Sequence, residues 1–71
     1  MKIIFNTKEL EIKNSKLIDV LQELDIISAP DDVYGIAVSV NENIIAKSDY
    51  PVFELKENDQ LDVFYMMAGG M

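Results

Sequence analysis

The sequence predicts an α+β domain: a mixed sheet of about five strands with one main helix packed on one face. Three observations predict it. Glu9-Leu10-Glu11-Ile12-Lys13 alternates polar and apolar, the mark of a half-buried strand. Leu17, Val20, Leu21 and Leu24 fall at i, i+3, i+4 and i+7, a single amphipathic helical stripe. Downstream, residues 35–41 and 61–67 are β-branched and aromatic runs with no second helical pattern to cover the other face of a sheet.

Taken in order, residues 2–6 form a short apolar strand with Ile3 and Phe5 on one side and Lys2 and Ile4 on the other. Asn6-Thr7-Lys8 turns the chain into the alternating strand, so that residues 2–13 make a hairpin. Ser15 is the expected N-cap of a helix beginning at Lys16 and fading near Asp25, before Pro30 and the Asp31-Asp32 pair. The third strand turns Ile36, Val38 and Val40 inward and leaves Ala37 and Ser39 on the uncovered face. Asn41-Glu42-Asn43 leads into a short strand around Ile44-Ile45-Ala46, and an irregular stretch from Lys47 to Asp59 is anchored by Tyr50, Phe53 and Leu55. The last strand is expected over residues 61–67. Strand, strand, helix, strand, short strand, strand is the order of a ubiquitin-like β-grasp. The chain divides into a β-grasp domain over residues 1–67 and a flexible tail over residues 68–71. Leu10, Ile12, Leu17, Val20, Leu21, Leu24, Ile36, Val38, Val40, Leu61, Val63 and Tyr65 are the expected core.

Composition narrows the chemistry. With 71 residues the chain builds one thin core and no deep pocket. It has no Cys, His or Arg, so zinc sites, thiol redox chemistry and imidazole acid–base catalysis are excluded. Thirteen acids against six lysines give a net charge of −7, the wrong sign for nucleic acid or an anionic membrane. A partner is expected to present a basic surface. No apolar run approaches the length of a membrane helix or of a signal peptide core, and a cytoplasmic location is expected. The glycines form no phosphate-binding loop, the serines have no imidazole partner, and the acidic pairs Asp31-Asp32 and Glu57/Asp59 read as solvated turns. No metal, no stably bound cofactor and no catalytic residue of its own are expected: the chain is not read as an enzyme.

The C-terminus stands apart. Gly69-Gly70 lies just past the last strand, one residue before Met71. In many proteins such a doublet is a frayed end. It is also the segment best suited to lie extended in a narrow channel and to offer an unhindered carboxylate to an enzyme, because neither residue has a Cβ.

This β-grasp order with a terminal Gly-Gly resembles the ubiquitin-like sulfur carriers, and most closely the ThiS family of thiamine biosynthesis. The likeness covers essentially the whole chain. It is densest from Ile36-Ala37-Val38 and Asn41 through Ile44-Ile45, Lys47-Ser48, Tyr50 and Leu55 to Asp59, without a gap. Ala46, Lys47, Tyr50 and Asn58 stand where the family favours Pro, Arg, Trp and Gly, and Met71 follows the position where the family's chemistry needs a terminal glycine.

The resemblance implies a sulfur carrier for the thiazole of thiamine. A partner adenylyltransferase of the ubiquitin-activating type uses ATP to activate the carboxylate of Gly70, with Gly69 as its flexible approach. Sulfur from a persulfide donor then displaces AMP and converts the Gly70 carboxyl to a thiocarboxylate, whose sulfur goes to thiazole synthase or another acceptor. Met71 is expected to be removed first, by a protease. Two other readings stay open: a carrier for molybdopterin or sulfur amino acid synthesis, and a non-catalytic ubiquitin-like modifier or binding module.

Alternation along the last strand also predicts a docking surface. Phe64 and Met66 fall on the uncovered side with Asp62, and in a β-grasp the last strand lies between the first and third. Ile4, Ala37, Phe64 and Met66 are therefore expected to adjoin one another as an apolar patch at the root of the tail.

Overall fold

The computed structural model of the chain describes residues 1–66. The expected Met67 end of the last strand and the tail residues Ala68, Gly69, Gly70 and Met71 lie outside the described residues. The elements are β1 (Lys2–Phe5), β2 (Lys8–Glu11), α1 (Leu17–Glu23), β3 (Ile36–Val40), β4 (Asn43–Ile45), a short 3-10 turn (Lys47–Asp49) and β5 (Gln60–Tyr65). The five strands make one sheet in the order β2-β1-β5-β3-β4. Only β1 and β5 run parallel, with Phe5 opposite Leu61; the other three pairings are antiparallel. This is the β-grasp architecture expected from the sequence.

Both hairpins turn on two residues of positive φ, Asn6 (46°) and Thr7 (75°) in one, Asn41 (52°) and Glu42 (71°) in the other. Those angles match the twist that tight hairpins need, and Asn at the first position tolerates them best. Asn6 does a second job: its Oδ1 accepts the backbone N–H of Val63 at 3.0 Å, so the first turn is tied to β5.

Helix α1 is entered without a side-chain cap. Ser15 is not the N-cap; Lys16 holds that position in an extended conformation (φ −75°, ψ 135°). The physical reason is that the neighbouring loop supplies the partners. Leu17 N–H donates to the Phe53 carbonyl at 2.9 Å and Ile18 N–H to the Tyr50 carbonyl at 3.1 Å, while the Ser15 carbonyl accepts from Leu55 N–H at 2.7 Å. Backbone donors at a helix start need acceptors of some kind, and here they come from residues 50–53. The helix ends as expected, with Asp25 in the left-handed region (φ 60°).

Ile12, Leu17, Val20, Leu21, Ile36, Val38, Val40, Leu61 and Val63 are buried as expected, and so are the loop anchors Tyr50 and Leu55. Leu10 and Leu24 are only half-buried. Tyr65 departs from expectation: it is 70% exposed. Its partner on β3 is Ile36, but β1 ends beside Leu61, so no strand flanks Tyr65 on the other side. Ile3, Ile18 and Ile27 complete the core. Ile27 follows the helix, and its N–H is drawn back to the Leu21 carbonyl.

Candidate docking face at the root of the tail

Strand β5 carries the site because of where it lies and how it alternates. It is the middle strand of the sheet, with Leu61 and Val63 in the core and Asp62 and Phe64 turned to the face without a helix. On that face Phe64 pairs directly with Ala37 of β3, and Asp62 pairs with Ser39. Phe64 is 55% exposed and Met66 52%. Met66 N–H donates to the Gly35 carbonyl at 2.8 Å, one rung past the strand's end. Gly35 adopts φ 89°, which an L side chain rarely takes, and so lets the chain swing into β3 at that rung. Ala37, Phe64 and Met66 are thus together, and Met66 is the last described residue.

Ile4 does not join them. In the parallel β1/β5 register Ile4 sits opposite Gln60, four positions before Phe64 along the strand, roughly 13 Å at the usual rise. Asp62 lies between. β1 ends at Phe5, so it offers no residue beside Phe64. The expected patch of four is corrected to Ala37, Phe64 and Met66, with Ile4 at the other end of the face beside Glu9 of β2.

Sequence reasoning missed Ile44. It is 72% exposed and lies opposite Ser39, on the same uncovered face as Ala37. The signal was available: a two-residue turn at Asn41-Glu42 pairs Val40 with Asn43, and the next rung then pairs Ile44 with Ser39. The apolar face therefore runs from Ile44 past Ala37 to Phe64 and Met66.

Lys47, where the likeness favours arginine, makes an internal tie: its Nζ donates to the Ile36 carbonyl at 2.8 Å. Asn58 takes the glycine-like conformation, φ 68°. Nearby, Asp59 Oδ2 accepts from Lys56 N–H at 2.8 Å, and Asp59 Oδ1 accepts from Asn41 Nδ2 at 3.0 Å. Tyr50 is buried under the sheet, and burial pushes its phenol upward, with the Val38 backbone pulling the other way. Among the described residues no three acidic side chains are grouped to hold a metal ion, and no helix is long and apolar enough to cross a membrane.

The face is apolar from Ile44 to Met66, and the chain as a whole carries thirteen acids against six lysines. Such a surface can bind a protein with an apolar pocket and basic surroundings. Comparison with known proteins then bears on which. The ThiS family model matches residues 3–70. A crystal structure of the thiamine biosynthesis protein ThiS from Geobacter metallireducens superposes with a TM-score of 0.78 at 18% identity, covering 99% of this chain and 100% of that one. A solution structure of a thiamine biosynthesis protein from the same organism gives a TM-score of 0.72 at 19% identity, covering 100% of this chain and 90% of that one. No curated protein matches the sequence.

Proposed function

The chain belongs to the ThiS family, and on that premise we propose that it is a sulfur carrier protein of thiamine biosynthesis, loaded at Gly70. The observation that carries this reading is the reach of the family match. It runs through residue 70, so it includes Gly69 and Gly70 as well as the folded domain. The apolar face beside Met66 supports it from the structural side, since a partner holding Phe64 and Ala37 has the tail within a few residues of its grip.

The chemistry is dictated by the inertness of a carboxylate. An oxygen of the Gly70 carboxylate attacks the α-phosphorus of ATP in the active site of an adenylyltransferase of the ubiquitin-activating type, and pyrophosphate leaves. The resulting acyl-adenylate is a mixed anhydride with AMP as its leaving group. The outer sulfur of a donor persulfide displaces AMP, and reduction of the sulfur–sulfur bond by a thiol leaves the Gly70 thiocarboxylate. That sulfur passes to thiazole synthase. The carrier supplies the docking face and the tail, in the cytoplasm, and no catalytic group; ATP belongs to its partner.

Met71 places a condition on this scheme, because a free carboxylate at Gly70 exists only once the Gly70–Met71 peptide bond is cut. The same residue favours one second reading, a sibling carrier for another sulfur pathway such as sulfur amino acid synthesis, trimmed by a protease before use. ATP–pyrophosphate exchange with the cognate activating enzyme tests the condition. A chain ending at Gly70 is expected to support exchange and one retaining Met71 to be much poorer. Equal exchange by both removes the trimming step, and none by either contradicts the carrier role.

A further inference from the structure

The two edges of the sheet are built differently. Edge strand β2 reads Lys8-Glu9-Leu10-Glu11, and Glu9 is paired with Lys2 at 3.7 Å. Charges of this kind are the usual guard against another strand adding on. Edge strand β4 reads Asn43-Ile44-Ile45 and has no charge at all.

The register of β4 fixes what it offers. Asn43 and Ile45 lie opposite Val40 and Val38, while Ile44 lies opposite Ser39. In an antiparallel pair closed by a two-residue turn, the rung next to the turn is hydrogen-bonded and the following one is not. The amide and carbonyl of Ile44 therefore point away from β3, outward from the sheet. On the helix side of the same edge lies a shallow pocket of about 310 Å³. Val40, Ile45 and Phe53 line it with apolar surface, and Asn41, Asn43, Glu54, Lys56 and Asp59 with polar surface. An outward peptide group and a pocket beside it with an apolar side are the two elements of strand-addition recognition: main-chain bonds for affinity, a pocket for alternate side chains.

We propose that β4 binds an extended segment of a partner protein, added antiparallel to the sheet, with apolar residues that enter this pocket and basic residues flanking them. The residue opposite Ile44 exchanges both main-chain hydrogen bonds with it. Its two neighbours then project to the helix side, opposite Asn43 and Ile45, where the pocket is. The basic flanks follow from thirteen acids against six lysines in the chain, with Glu42 and Glu54 at this edge. The proposal does not rest on the carrier reading, because nothing in it uses Gly70.

The test is a titration of the isotope-labelled full chain with the synthetic peptide acetyl-Lys-Leu-Val-Leu-Lys-amide, followed residue by residue by NMR. Expected are shifts at Asn43, Ile44, Ile45 and Phe53 and slowed solvent exchange of the Ile44 amide. N-methylation of the peptide's central valine, which removes its donor, should weaken binding at least tenfold, and replacing both leucines by serine should do the same. Shifts confined to β2 or to Phe64 and Met66, equal affinity of the N-methylated peptide, or no shift at millimolar peptide would each overturn the proposal. Peptide-free shifts at β4 that grow with protein concentration would also overturn it, by making the occupant a second copy of the chain.

Discussion

Asn41 and Asp59, eighteen residues apart, are joined by a hydrogen bond of 3.0 Å from Asn41 Nδ2 to Asp59 Oδ1. The same Asn41 accepts Gln60 N–H through its Oδ1 at 3.0 Å, and the Asp59 carbonyl accepts Ile4 N–H at 2.9 Å. One turn residue of positive φ and one carboxylate thus lock the β3–β4 hairpin, the start of β5 and the middle of β1 together. Both residues lie within the span matched by the ThiS family model, residues 3–70. Their work in this chain is to hold the sheet, far along β5 from Phe64.

Asp59→Ala removes the acceptor of both Asn41 Nδ2 and Lys56 N–H. The expected loss is about 1–2 kcal/mol of stability, in line with one or two partly exposed hydrogen bonds to a charged group. Chemical denaturation should show the midpoint falling at unchanged slope, with affinity for the activating enzyme unaltered in the folded protein. A loss of affinity at full stability would give the pair a place in docking instead.

The candidate docking face makes a sharper demand. Phe64→Ala is expected to weaken binding to the activating enzyme at least tenfold, about 1.4 kcal/mol, because interface energy concentrates in a few large side chains. The fold should survive, since Phe64 is 55% exposed. Val52→Ala, at 69% exposure and off the sheet, should leave affinity unchanged. Titration calorimetry of the two variants separates a specific face from a general loss of apolar surface.

Acid should find a weak point at Glu23. Its carboxylate accepts Lys13 N–H at 2.8 Å, Asn14 N–H at 3.1 Å and Asn14 Nδ2 at 2.9 Å, bracing the link between β2 and α1. Partial burial pushes the group upward, but these hydrogen bonds and the nearby Lys13 cation outweigh it and hold it below its usual 4.5. A carboxyl depressed on folding contributes stability above its unfolded value, and that contribution is lost as pH falls through the folded one. Wild type should therefore exceed Glu23→Gln in stability at pH 7, and the difference should shrink as pH falls from about 4.5. Thermal melts of the pair across that range check it; a gap that stays constant would assign the bracing to shape alone.

The sequence made the periodic elements legible. Leu17, Val20 and Leu21 on the helix, and Ile36, Val38 and Val40 on β3, lie where their spacing puts them, because burial repeats with the element's own period. What escaped depends on neighbours distant in sequence. Ser15 is a good cap by type, yet the loop carbonyls of Tyr50 and Phe53 reach the helix start in its place. Tyr65 alternates inward but outruns β1, and Ile4 lies on the expected face but at the wrong height, both consequences of where a parallel pairing begins and stops. Strand-face alternation says which side a residue takes and is silent on how far along the sheet it sits. Of the candidate site, the Ala37–Phe64 contact was legible and the contribution of Ile44 was recoverable from the turn.

The central claim is that sulfur is carried at Gly70. Its most direct measurement is the intact mass of the Gly70-terminated chain after incubation with its activating enzyme, ATP and a persulfide donor in the presence of a thiol, followed by fragmentation to locate any change. The account predicts exchange of one oxygen for one sulfur, localised to Gly70, dependent on ATP, and reversed when an acceptor enzyme is added. An unchanged mass with an active enzyme and donor, or a sulfur found anywhere but the terminal carboxyl, would contradict it.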